Sequence, residues 1–174
     1  MKVLKNRNTA VCVMIICVLA AILIGGWRGT SVEYHKLQKA FSEGEDAPKQ
    51  YLDTMLVRFD YLIKTADQYG IQTKNEKSLY SQLKNTITAE AVLQLNDMED
   101  KLYTSLKQQA LKKEDASYLE RDHTMFLSAA ASLTHLDYNQ KAKEYNSEMK
   151  KFPASLFCSI FGFKEALVFA KSAG

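Results

Sequence analysis

The chain has 174 residues, of which 25% are charged, and only two are proline and seven glycine. This scarcity of turn-forming residues argues against an all-β fold, and the length is that of one domain with a short appendage. The net charge of +3 is accounted for by Lys2, Lys5 and Arg7, which leaves 20 basic against 20 acidic residues. A neutral body argues against nucleic-acid binding, which uses a basic face.

The first predicted element is a membrane-spanning helix at residues 9–27, preceded by a basic tail at residues 1–8. The stretch Thr9–Ile24 is uncharged, and with the next three residues it reaches 19. As a helix this is about 28 Å long, close to the thickness of a bilayer core. A cleaved signal peptide is the alternative, but the apolar run is longer than the usual core of such a peptide, and no clear small-x-small cleavage site with a polar region before it follows. We therefore expect an uncleaved signal-anchor.

The residues flanking this span indicate how it is oriented. Trp27 ends the span and Arg28 follows it directly, and both suit the membrane interface. Lys2, Lys5 and Arg7 all lie closely ahead of the span, whereas Lys36 and Lys39 lie farther behind it, and this favours a cytoplasmic N-terminus. The sequence thus predicts a single-pass protein of the cell membrane with an extracytoplasmic body.

Residues 28–174 are predicted to form one domain, an all-α, four-helix-bundle-like arrangement of long antiparallel helices with a short C-terminal helix. The polar stretch Ser42–Pro48 interrupts a first helix, and the next helical seam stops near Gly70. A second run has a kink or break around Thr86–Thr88, and Lys112–Asp115 is a turn candidate. The apolar residues that recur at steps of three and four in these runs include Leu52, Met55, Phe59, Leu62, Ala66, Tyr69, Leu79, Leu83, Val92, Leu95, Leu102 and Leu106.

A third run, from Leu119 to Phe152, is predicted to be one helix with an aromatic stripe. A spacing of seven keeps side chains on one face, as in a coiled coil. The residues on this period are Tyr138, Tyr145 and Phe152, with Asn139 and Asn146 following the first two. Pro153 then ends this helix or opens the next one.

Residues 152–163 read FPASLFCSIFGF, the most aromatic dodecamer of the chain. Its part Leu156–Phe163 would be about 12 Å long as a helix, too short to cross a bilayer. We expect a short helix that packs on the bundle through Leu156, Phe157, Ile160 and Phe161. The alternative is an exposed docking patch at Phe157–Phe163 beside Tyr145. Gly162 permits a positive φ or a close approach between Phe161 and Phe163.

Few residues suggest a reaction. HExxH, GxSxG and phosphate-loop motifs are absent, and Cys12, Cys17 and Cys158 have no disulfide or zinc spacing. Glu120 and His123 have the spacing found in di-iron bundles, but no second Glu-x-x-His pair accompanies them. No metal or cofactor is therefore expected. For Arg58 and Asp60, on an otherwise apolar helix, we predict a structural ion pair or an interhelical hydrogen bond.

The C-terminal block is similar to the pattern of the bacterial LemA family. That pattern has two Tyr-Asn pairs seven residues apart, then Phe-Pro, then an apolar stretch closing on Phe-Gly-Phe-Lys. The matching residues are Tyr138-Asn139, Tyr145-Asn146, Phe152-Pro153 and Phe161-Gly162-Phe163-Lys164. Val57–Ile63, which carries Arg58 and Asp60, is a weaker match. The chain departs from the pattern at two places. The family usually has Pro-Asn after Leu-Ile, whereas here Ile63 is followed by Lys64. The family has an aromatic residue near the position of Pro48.

The resemblance implies a membrane-anchored antiparallel helical bundle with no established enzymatic activity, so no catalytic residue carries over. We expect a non-enzymatic protein that acts through association with the bilayer, with itself or with a protein partner such as another membrane protein. Residues 9–27 would contact lipid. One alternative is a ligand-sensing bundle that binds a small molecule between its helices. The other is a metal-dependent enzyme using Glu120, His123 and Glu148.

Overall fold

The computed structural model describes residues 7–169. Within that range the protein has seven helices and no strand, which confirms the predicted all-α class. The helices are α1 (Arg7–Ser42), α2 (Pro48–Gln68), α3 (Lys74–Asn85), α4 (Ala89–Lys107), α5 (Lys113–His135), α6 (Asp137–Met149) and α7 (Ala154–Phe161). Lys2 and Lys5 of the predicted basic tail lie outside the described residues.

The chain divides into two compact units. Unit 1 comprises residues up to Lys39 together with Lys141–Ala166, and so contains most of α1, most of α6 and all of α7. Unit 2 comprises Ala40–Gln140 and the residues from Leu167 onward, and contains α2 to α5. Unit 1 therefore joins the predicted span to the C-terminal block, whereas the sequence predicted a boundary directly after Trp27.

Unit 2 is a helical bundle in which α2 packs against α3, α4 and α5. Its core is built from the apolar residues that the three- and four-residue spacing predicted to share a face. The buried members include Leu52, Met55, Phe59, Leu62, Ala66, Leu79, Leu83, Val92, Leu95, Leu102, Leu106, Leu119, Phe126 and Leu133. The periodicity of the sequence thus identifies the buried face of each helix.

The predicted breaks between the early helices are confirmed. The helix α1 ends at Ser42, and α2 begins with Pro48, whose fixed φ suits the first turn of a helix. Gly70 follows the end of α2 with a φ of 75°. The break at Thr86–Thr88 separates α3 from α4, and the Thr88 hydroxyl caps α4 by accepting a hydrogen bond from the Ala91 amide at 3.1 Å.

The third run is two helices, so the prediction of one continuous helix is wrong. Leu136 adopts an extended conformation between α5 and α6. The Asn139 amide group donates to the Leu133 carbonyl at 2.7 Å, and the Asn139 backbone N–H donates to the Leu136 carbonyl at 3.0 Å. Asn139 therefore satisfies carbonyls that the end of α5 leaves open, which stabilises the break.

The helix α1 is long and apolar enough to cross a membrane. The side chains from Val11 to Ile24 are exposed along this helix. An exposed apolar surface of this length is typical of a helix that faces lipid, and signal sequences share the property. The first charged residue after the apolar stretch is Arg28.

Candidate interaction surface

The short helix α7 packs on α1 at the end of the apolar stretch. Phe157 is 3% exposed, and its ring lies against Gly26 so closely that a Cβ on Gly26 would overlap three ring carbons. Cys158 is buried beside it, and burial raises the pKa of its thiol. A glycine is therefore required at position 26 for this contact.

Aromatic side chains continue the contact between α1 and the C-terminal block of unit 1. Trp27 lies 6.3 Å from Phe161, measured between ring centroids. Tyr34 lies 5.3 Å from Phe163 and 6.3 Å from Tyr145. Ring pairs at these separations stabilise packing beyond the area they bury. Four residues of the C-terminal block, namely Tyr145, Phe157, Phe161 and Phe163, thus fix its position on α1.

Gly162 ends α7 in the left-handed conformation, with a φ of 70°. Its backbone N–H donates to the Cys158 carbonyl at 2.9 Å. Of the two predicted alternatives, a close approach or a positive φ, the structure shows the positive φ, which turns the chain between Phe161 and Phe163. Phe161, which was predicted to pack on the bundle, is 42% exposed.

Residues 163–169 have no helical structure, and Asn146 binds this segment at Ala166. The Asn146 amide group donates to the Ala166 carbonyl at 2.9 Å, and its carbonyl oxygen accepts from the Ala166 backbone N–H at 2.7 Å. Lys150 and Glu165 form an exposed ion pair at 3.0 Å nearby. The second Tyr-Asn pair therefore supplies a tyrosine that packs and an asparagine that binds backbone.

The first Tyr-Asn pair repeats this arrangement within unit 2. The Asn139 side-chain oxygen accepts from the Phe169 backbone N–H at 2.8 Å, and Phe169 stacks on Phe41 with ring centroids 6.3 Å apart. Tyr138 packs edge-on to Phe41 at 5.9 Å, and burial raises the pKa of its phenol to about 12. The two asparagines, seven residues apart, thus each bind the backbone of the C-terminal segment, Asn146 at Ala166 and Asn139 at Phe169.

Tyr145 is buried, and this burial raises the pKa of its phenol to about 12. Its hydroxyl lacks a hydrogen-bond partner among the described residues. A buried polar group without a partner costs about 1–3 kcal/mol. The packing of its ring against Tyr34 therefore has to offset that cost.

Part of α7 and the residue Phe152 ahead of it form an exposed apolar surface. Leu156 and Ile160 were predicted to pack on the bundle but are 48% and 55% exposed. Phe152 was predicted to continue the aromatic stripe but is 84% exposed, because α6 ends at Met149. We call Phe152, Leu156, Ile160 and Phe161 the α7 surface. Phe157 is therefore buried, as predicted for a helix packed on the bundle, whereas the α7 surface is exposed, as a docking patch would require.

The ion pair predicted around Arg58 has a different partner. Arg58 Nη1 donates to the buried Asp122 carboxylate of α5 at 3.1 Å, whereas Asp60 pairs with Lys64 on its own helix at 2.6 Å. Of the two predicted alternatives, Asp60 therefore forms an ion pair within α2, and the interhelical bond belongs to Arg58. The partner could not be identified from spacing, because Asp122 lies 64 residues from Arg58.

A second buried polar contact was missed by the sequence reasoning. Glu99 of α4 is 0% exposed and lies 3.0 Å from His123 Nδ1 of α5. The His123 ring stacks on Tyr103 with centroids 3.6 Å apart. Desolvation raises the pKa of the Glu99 carboxyl. One sequence feature could have indicated this contact: Glu99 is a charged residue on the apolar helix face that Leu95, Leu102 and Leu106 define.

Glu120 and His123, which have the spacing of a metal-binding pair, contact different partners, Glu120 on the surface and His123 at a buried carboxylate. Glu120 accepts from the Tyr103 hydroxyl at 2.8 Å and pairs with Lys107 at 2.9 Å on the surface, while His123 faces Glu99. Among residues 7–169 there is no cluster of three or more histidine, cysteine or acidic side chains that could hold a metal ion. Glu148, the third residue of the metal hypothesis, pairs with Lys151 at 2.6 Å.

No family model, curated protein or solved structure matches this chain. The similarity to the LemA family thus depends on the motifs themselves and stays a prediction.

Proposed function

We propose that the protein is a single-pass membrane protein whose helical body acts by association at the membrane and not by catalysis. The observation that carries the proposal is the end of α1, where an exposed apolar stretch continues directly into the α7 contact at Gly26 and Trp27. An anchor packed against α7 holds α7 at the bilayer. The orientation with an extracytoplasmic body is part of the proposal.

The polar contacts support a non-catalytic role. The carboxylates of Asp122 and Glu99 each face a partner on another helix, Arg58 and His123 respectively, as structural pairs do. Catalytic groups instead converge on a space where a substrate can bind. We also propose that the protein is a divergent LemA family member, because the tyrosines and asparagines of its motif have definite packing roles.

Extraction of membranes with alkaline carbonate tests the anchor. The full chain should stay in the membrane pellet. The double variant Ile16→Arg/Leu19→Arg should move to the soluble fraction, since two arginines at mid-span cost about 5–7 kcal/mol of insertion free energy. The matched control Val32→Arg/Lys36→Arg changes exposed positions of the same helix beyond the span and should stay in the pellet. Release of the unmodified chain would contradict the proposal.

Crosslinking of the full chain in its native membrane, followed by mass spectrometry, tests the association. We expect one reproducible set of crosslinks, either to another membrane protein or between copies of the chain. Crosslinks to many unrelated proteins in proportion to their abundance would contradict a specific protein association. Association would then be confined to the bilayer.

A further inference from the structure

We propose that the α7 surface lies in the headgroup region of the bilayer that α1 spans, so that the protein contacts the membrane through a helix on the membrane plane as well as through its anchor. This inference rests on the proposed function, because it requires α1 to be a membrane anchor. It adds a second site of membrane contact and names its occupant, lipid.

The position of α7 along α1 is the first argument. Phe157 packs on Gly26, and Phe161 packs on Trp27. These two residues of α1 end the uncharged stretch that begins at Thr9, and a tryptophan at the end of a span favours the interface. Because α7 is attached at this level, its open side is at the depth of the headgroups.

The composition of α7 is the second argument. Residues 152–163 contain no charged side chain, and the lysines Lys150, Lys151 and Lys164 flank them. The first two are exposed and also pair with Glu165 and Glu148. The spacing of four between Leu156 and Ile160 puts them on the same side of the helix. An apolar face bordered by exposed charged groups is the pattern of helices that lie in the interface.

The length and location of α7 argue for lipid rather than for a protein. Eight residues form a helix of about 12 Å, which can lie in the membrane interface but is too short to cross the bilayer. The α7 surface also borders Trp27, which is itself 45% exposed. Lipid that contacts the exposed face of α1 as far as Trp27 would therefore also contact the neighbouring Phe161.

Tryptophan fluorescence tests this placement, because Trp27 is the only tryptophan of the chain. The full chain is reconstituted in phosphatidylcholine and phosphatidylglycerol vesicles whose acyl chains are brominated near the headgroup. Three proteins are compared: the unmodified chain, Trp27→Phe/Ile160→Trp, and Trp27→Phe/Lys36→Trp. Position 36 is exposed and lies about 14 Å beyond Trp27 along α1. Each sample is also titrated with acrylamide in the aqueous phase.

We expect the tryptophan at position 160 to lose as much fluorescence to the brominated lipid as Trp27 does, and the tryptophan at position 36 to lose little. If position 160 is quenched by acrylamide and not by lipid, the α7 surface faces water and the inference is wrong. If neither reagent quenches it, protein covers the surface, which also overturns the inference. The variant Trp27→Phe/Leu156→Trp repeats the measurement from the same side of α7, in case position 160 does not tolerate tryptophan.

The unmodified chain separates this inference from the proposed function. Strong lipid quenching of Trp27 with none at positions 160 and 156 would refute the inference and leave the anchor intact. Absence of lipid quenching at Trp27 would refute the anchor as well.

Discussion

Gly26→Ala should detach α7 from α1. The added methyl group would overlap the Phe157 ring, and a rigid ring cannot bend away as a flexible side chain can. Displacing a buried phenylalanine costs about 1.5–3 kcal/mol of burial free energy. The higher helix propensity of alanine does not enter this balance, because α1 is helical whether or not α7 is docked. The loss is therefore about 1.5–3 kcal/mol for the docked state, equivalent to roughly a 10- to 150-fold increase in the undocked population.

Cys158 reports this undocking, because it is buried beside Phe157 and burial raises the pKa of its thiol. The reaction rate of N-ethylmaleimide with Cys158 is measured in detergent, in a background where Cys12 and Cys17 are serine. A thiol that is buried in the docked state reacts through the undocked state. Gly26→Ala should therefore increase the rate by about tenfold or more, with unchanged helix content by circular dichroism.

Two neighbouring glycines provide matched controls on the same helix. A Cβ at Gly25 or at Gly29 would meet no atom within 4 Å. Gly25→Ala and Gly29→Ala should therefore leave the labelling rate unchanged. An equal increase in all three variants would mean that α1 responds to alanine in general. An unchanged rate in Gly26→Ala would refute the packing of Phe157 on Gly26.

Asn146→Ala removes both hydrogen bonds to Ala166 and should lower the protection of that amide from hydrogen exchange by about tenfold or more, whereas Ser147→Ala should not. Because the folded state raises the pKa of Glu99, this group adds stability at low pH that is lost as pH rises above its ordinary value of 4.5. When thermal unfolding in detergent is measured as a function of pH, the stability of Glu99→Gln should therefore decline less above pH 4.5 than the stability of the unmodified chain. Parallel pH profiles of the two proteins would contradict a raised pKa of Glu99. Asp122→Ala leaves Arg58 unpaired and should cost about 2 kcal/mol, against less than about 0.5 kcal/mol for the exposed pair removed by Asp60→Ala. Equal losses in chemical unfolding would refute this ranking.

The helices of unit 2 could be predicted from the sequence because their information is local. Apolar residues at steps of three and four define the buried faces, and breakers such as Pro48 and Gly70 mark the ends. The break at Leu136 could not be predicted in this way. It is stabilised by the Asn139 side chain, whose preference for the Leu133 and Leu136 carbonyls competes with a continuous helix.

The candidate surface was predicted only in part, because it depends on which side of α7 meets α1. The sequence identified residues 152–163 as aromatic but assigned Leu156 and Ile160 to the core. Their exposure follows from the contact between Phe157 and Gly26, two residues far apart in the chain. Likewise, the partner of Glu99 lies 24 residues away on another helix, beyond the reach of a spacing argument.

If α1 is a membrane anchor, it remains part of the mature protein. Intact-mass spectrometry of the chain recovered from cell membranes tests this. We expect a species in the membrane fraction that retains residues 9–27. A shorter chain that begins after Trp27 and is found in the soluble fraction would identify the segment as a cleaved signal peptide and refute the membrane anchor.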